Sequence, residues 1–210
     1  MPYNGVVETK AAVRRAREKA QLREAILSAA RRILVDEGYQ AISIRAVADA
    51  VEYSAAALYL HFQDKESILA ELALEGFDRL AVRLKSVQTD SAFPLLLGQA
   101  EQYLEFALEN PRLYELMFLS AGVEFFTDDV EAAANGPECF RLLISAVILG
   151  QEQGVLTRQL PVPLLAYSLW GSLHGLATLA VSKRFFWIPE EQIPNLFREH
   201  ARAMLVGHKP

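Results

Sequence analysis

Cysteine is almost missing from these 210 residues: Cys139 stands alone, so no intrachain disulfide can form and a reducing cytoplasm is the economical compartment. Cys139 reads as a small buried apolar group rather than a nucleophile. The polar N-terminus has no signal-peptide apolar core. Neither HxxxH nor HExxH spacing links the four histidines, His61, His174, His200 and His208, which leaves no metallohydrolase site. His174 with Ser168 or Ser172 is the only start of a base–nucleophile pair, so an enzyme is the weaker alternative. The acids Asp128, Asp129 and Glu131, beside Phe125-Phe126, lack the accompanying ligands of a metal site and read as a solvated loop. No metal and no cofactor is expected.

Charge is absent from Leu160 to Ser182, a length that could span a bilayer. The run holds Pro161, Pro163, Gly171 and Gly175, and an apolar helix is also what a core or a subunit interface requires. The buried-helix reading is preferred, and no membrane partner is expected.

What is present is a globular composition, 52% hydrophobic and 22% charged, in a chain long enough for a sizeable core. The net charge of −5 excludes an indiscriminate nucleic-acid coat. It is unevenly spread: residues 1–65 carry ten Lys/Arg against eight Asp/Glu, residues 66–210 eleven against eighteen. That is a mildly basic front on an acidic body.

Residues 1–20 lack an apolar stripe and hold the basic cluster Arg14, Arg15, Arg17 and Lys19. They read as an arm that either reaches DNA phosphates or frays in solvent. From Gln21 to Glu37, Leu22, Ile26, Ala29 and Ile33 recur at helical spacing, and Gly38 supplies a stop. Ser43 and Ser54 are N-caps of two short helices separated by Val51-Glu52-Tyr53. On the second, Leu58 and Phe62 face inward and the Ala55–Ala57 surface is smooth enough for a major groove. Asp64 caps a helix from Lys65 to about Leu84, a mechanical link between this segment and the body.

The strings IRAVADAV, SAAALYLHF and DKESIL, preceded by REAILSAARRILVDEGY, resemble the DNA-binding segment of the TetR family of bacterial transcriptional regulators. The resemblance implies that Ser43 and Arg45 meet phosphate or base edges, that Ser54, Tyr59, His61 and Lys65 anchor the DNA backbone, that Tyr53 contacts DNA, and that Ala55 and Ala56 approach the bases closely. Alanines offer methyl contact with thymine and no hydrogen bonds. One departure stands in the turn. Glu52 occupies the place where the family usually has Gly, at a left-handed backbone that disfavours a Cβ.

The body reads as helix throughout: Ala92 to Glu109, a short helix opened by Pro111, one from Pro137 to near Gly154, the apolar run, and Pro189 to Val206. Trp170 with His174-Gly175, and NPRLYELMF at 110–118, resemble the Trp-His-Gly class of C-terminal domain in TetR-like proteins. Fifteen of the twenty aromatics follow residue 65, more apolar surface than DNA binding needs. They suggest a pocket for a small, largely apolar effector, with Tyr103, Phe118, Trp170 and His174 as candidates.

The expectation is an all-α protein: a basic arm (1–20), a three-helix helix-turn-helix domain (21–65) and a larger helical effector-binding and dimerisation domain (66–210). The last two helices would form a four-helix bundle with a second subunit, placing two reading helices on palindromic double-stranded operator DNA. An effector would release it as a repressor. The alternatives are an architectural DNA-binding protein without effector and a helical enzyme using His174.

Overall fold

The computed structural model describes residues 10–119 and 138–210. The acidic loop around Asp128, the helix restart at Pro137 and the first nine residues of the arm lie outside them. Among the described residues there are nine α-helices: α1 (Lys10–Glu37), α2 (Ile44–Ala50), α3 (Ala55–Leu58), α4 (Lys65–Ser86), α5 (Ala92–Glu109), α6 (Pro111–Leu119), α7 (Glu138–Glu152), α8 (Val162–Val181) and α9 (Ile193–Gly207). The chain divides into compact units Met1–Leu72 and Ala73–Pro210, with the division inside α4.

In the first unit, α1 starts at Lys10, so the second half of the expected arm is helix. Residues 10–20 are exposed all round, which removes the apolar stripe that would have announced them. Ala, Arg, Lys and Glu are strong helix formers, and Arg14 pairs with Glu18 one turn on at 3.5 Å. The core is small: Ile26, Ala29, Ala30 and Leu34 from α1 meet Val47 and Ala48 of α2, and Leu58 and Phe62 close it. Each large side chain so buried contributes about 1.5–3 kcal/mol.

In the second unit α5 is the central helix, packed against α6, α7, α8 and α9, while α8 also packs on α7 and α9. Its buried face runs through Leu96, Gln99, Ala100, Tyr103, Leu104 and Phe106. Pro161 precedes the first turn of α8 and Pro163 lies within it, where a missing N–H removes no helical bond. α8 is apolar on every side and only partly covered within the chain: Leu164, Tyr167, Gly171, Gly175 and Leu179 form one exposed stripe.

Candidate functional site

Two sites emerge, one in each unit. The first is the surface of α2, the turn and α3. Ser43 Oγ accepts from the Ala46 N–H at 3.0 Å and Ser54 Oγ from the Ala57 N–H at 3.2 Å, so both serines cap their helices. α3 has a single turn of α-helix, and the His61 N–H bonding back to the Leu58 carbonyl at 2.8 Å winds it on more tightly. This presents Ala56, Tyr53 and Tyr59 to solvent, the tyrosines at 52% and 58% exposure, with Arg45 and Lys65 also exposed and Ser43, Ala55 and His61 half-covered. Leu60 is 75% exposed beside them, an apolar side chain that its place after Tyr59 did not single out.

Glu52 adopts φ = 59°, the left-handed conformation of the usual glycine. The turn is not rebuilt: the Tyr53 N–H donates to Ala48 O at 3.0 Å and the Glu52 N–H to Asp49 O at 3.2 Å, the paired bonds of a Schellman motif. The strain is therefore carried by Glu52.

Arg23 holds α3 in place. Its guanidinium donates to the His61 carbonyl at 2.8 Å, lies 4.2 Å over the Phe62 ring and pairs with Glu71. The pattern of α1 gave no sign of this, because the partners lie 38 and 48 residues away. His61 Nδ1 is buried without a partner; desolvation, then the positive charges of Lys19 and Arg23, hold the imidazole below its ordinary pKa.

The second site is a cavity of about 90 Å³ inside the second unit, walled by the C-terminal half of α4 and by α5 to α9. Tyr103, Phe118 and Trp170 line it together with Phe77, Phe140 and Tyr167. The rings pack edge-on and tilted, as Phe77 with Phe118 at 5.3 Å and Phe140 with Tyr167 at 4.9 Å. His174 does not touch the cavity. It stands behind the wall, where Nδ1 lies 2.7 Å from the Tyr114 hydroxyl and 2.9 Å from that of Tyr103. Tyr103 in turn accepts from Trp170 Nε1 at 3.3 Å, so a wall residue and His174 share one polar network. Burial lowers the His174 pKa and raises that of Tyr103 well above the ordinary value.

Cys139 also lines the cavity, its thiol pushed up to about 11, chiefly by burial, and so protonated at neutral pH. Ser172 pairs with His200, not His174, at 2.6 Å between Oγ and Nε2. Among the described residues no group of three or more His, Cys, Asp or Glu side chains is placed to hold a metal ion.

Comparison with known proteins agrees with this arrangement. Residues 26–72 match the model for bacterial regulatory proteins of the tetR family, and residues 96–204 the Tetracyclin repressor-like C-terminal domain. The uncharacterized HTH-type transcriptional regulator YobS of Bacillus subtilis (strain 168) is 34% identical over 194 residues, covering 88% of this chain and 93% of YobS. A protein of unknown function from Rhodococcus sp. RHA1 superposes with a TM-score of 0.73 at 24% identity, over 90% of this chain and 96% of that one. The regulator FadR from Bacillus subtilis, solved in complex with stearoyl-CoA, does so with 0.66 at 18%, over 88% and 98%. A helix-turn-helix unit and a helical C-terminal unit, each matched by its own family model, make this chain a member of the TetR family of DNA-binding transcriptional regulators, a family without enzymatic activity.

Proposed function

We propose that this regulator is a dimeric repressor that leaves a palindromic operator when a small, largely apolar molecule occupies the cavity of its second unit. The observation that carries the reading is the cavity itself: an aromatic-walled space in the same chain as a helix-turn-helix. Core packing alone gains nothing from an unfilled space, since each lining atom there lacks a neighbour to attract it. FadR holding an acyl-CoA supports the reading by likeness of fold. Trp170 in the wall, and His174 behind it followed by Gly175, are consistent with the Trp-His-Gly class of C-terminal domain.

The uncovered stripe of α8 supports dimerisation. A Cβ placed on Gly171 or Gly175 would meet nothing within 4 Å among the described residues, which leaves the stripe open there. A second α8 and α9 would complete a four-helix bundle and set two copies of α3 on successive major grooves. Release requires the effector to bind more tightly to a state whose reading helices do not fit both half-sites.

The test is binding to DNA from upstream of the protein's own gene, for wild type and Tyr59→Ala, across a salt series. Tight wild-type binding to a palindrome, at least tenfold weaker in the variant, supports the reading. Equal, weak and steeply salt-dependent binding by both removes it. Binding that no small molecule alters would leave an architectural protein instead.

A further inference from the structure

One polar side chain in the cavity wall has nothing to bond to. Gln99 sits on the buried face of α5, only 8% exposed, and its side chain lines the cavity. Its carboxamide makes no hydrogen bond among the described residues, although it offers two donors and an acceptor with two lone pairs. Its polar atoms are not sealed in apolar packing either; the buried orphan among the described side chains is His61 Nδ1. The amide thus keeps some access, and the residue that carries it lines the cavity.

The other polar groups of the wall are already engaged or weak. Tyr103 bonds to Trp170, Tyr114 and His174, and the Cys139 thiol stays protonated. Among the described residues no Asp, Glu, Lys, Arg or His lines the cavity. A carboxylate or ammonium placed there would lose its water without meeting an opposite charge. A pure hydrocarbon would leave the Gln99 amide dry and unpaired.

We propose that the cavity selects an uncharged, largely apolar molecule with a single hydrogen-bonding group (a carboxamide, carbonyl or alcohol) and that Gln99 is the residue that reads this group. The proposal rests on the effector-pocket reading above and narrows it. A site built around an unpaired amide discriminates through that amide: ligands lacking the complementary group leave it desolvated, so specificity follows from the absence of a partner in the protein. With no cation among the described lining residues, an acyl chain ending in a free carboxylate should bind more weakly on the same ground.

The test uses six-carbon probes differing only at the head: hexanamide, 1-hexanol, hexanoate, hexylammonium and hexane, at pH 7.5. The chain has two tryptophans, and Trp187 is 91% exposed, so the full-length Trp187→Phe protein leaves Trp170 in the cavity wall as sole reporter. Hexanamide and hexanol should perturb its emission with affinities at least tenfold tighter than hexanoate or hexylammonium. Gln99→Met, nearly isosteric and without the amide, should weaken hexanamide about tenfold and tighten hexane, which no longer leaves a buried amide unpaired. Gln99→Glu should reverse the order of hexylammonium and hexanamide, and it decides the matter together with the wild-type ranking if Gln99→Met fails to fold. Hexanoate or hexylammonium binding as tightly as hexanamide to the wild-type cavity, or a neutral-head preference that survives in Gln99→Met, would overturn the proposal while leaving an effector pocket in place. If hexane and both neutral probes leave Trp170 unperturbed, the pocket reading falls and takes the proposal with it.

Discussion

His174 turns one ring nitrogen toward two phenols, and that redundancy sets what each phenol is worth. With Tyr114 changed to Phe, Nδ1 keeps the Tyr103 hydroxyl at 2.9 Å; with Tyr103 changed, it keeps that of Tyr114 at 2.7 Å. Tyr114→Phe should therefore lose about 1 kcal/mol, an ordinary net hydrogen bond, and Tyr103→Phe roughly 2 kcal/mol, because it also leaves the Trp170 N–H without its acceptor. The double variant leaves the half-buried His174 nitrogen without either hydroxyl, and should lose about 1 kcal/mol beyond the sum. Urea unfolding followed by Trp170 emission measures this; strict additivity would mean the two hydroxyls act independently. The same imidazole sets an acid limit. Burial lowers its folded pKa below the ordinary 6.5, so below that pH the unfolded chain binds the proton first. Stability should be level above about pH 7, decline as pH falls through 6.5, and flatten below the folded pKa. His61 shifts the same way, so His174→Gln should remove part of the decline and leave the part due to His61. The tyrosines bound the other side: raised by burial, they withdraw stability only as pH rises past their ordinary 10.

At the scale of elements, three helices end in the same paired-bond motif, and the residues in the left-handed position differ. α7 uses Gly154 at φ = 68°, whereas α2 uses Glu52 at 59° and α8 uses Lys183 at 54°. A glycine at Glu52 removes the Cβ strain but frees the unfolded chain, a net gain of roughly 0.5–1 kcal/mol for the first unit. It also removes a negative charge beside the exposed Tyr53 and Tyr59, on the face proposed to meet DNA. Glu52→Gly should thus unfold at higher temperature and bind the operator more tightly at low salt, with the difference shrinking as salt rises. An unchanged melting temperature would mean that the turn carries no strain. These helix ends also show what the sequence could disclose. α5 and the start of α4 were legible because their apolar residues recur at helical spacing and Asp64 supplies a cap, accepting from the Ser67 N–H at 2.8 Å. The first eleven residues of α1 were not, since they face solvent on all sides and rest on propensity alone. Aromatic content pointed to Tyr103, Phe118 and Trp170 of the cavity wall. Gln99 escaped notice because a lone amide within an apolar stripe looks like a surface residue until the helices around it are placed. Arg23 escaped because its function lies in contacts distant along the chain.

For the whole molecule, the question is why a protein with its own core exposes Leu164, Tyr167 and Leu179 along a helix as apolar as α8. Length and composition alone would let Val162–Val181 cross a membrane, with 28% of its central window buried within the chain. A membrane-spanning role fits poorly with Ser172 bonding His200 and the Tyr114 hydroxyl lying 3.4 Å from the Thr178 hydroxyl, which tie the helix into a polar-flecked bundle. A second copy fits better, because the stripe is flat where it needs to be: Gly171 and Gly175 sit one turn apart in open space, allowing two helices to approach closely. Gly171→Arg separates the possibilities. Within one chain the new Cβ meets nothing within 4 Å among the described residues and the change replaces a poor helix former, so the monomer should fold and melt no lower than its own unassociated wild-type form. Across a two-fold axis the same change sets two guanidinium groups against each other in an apolar seam. Sedimentation should then find a dimer for wild type and a monomer for the variant, and operator affinity should fall by a hundredfold or more, since a single short α3 holds one half-site at most, on the order of the loss expected when specific binding reverts toward non-specific. A variant that remains dimeric and binds as wild type would place the subunit interface elsewhere and return the α8 stripe to the list of surfaces without a partner.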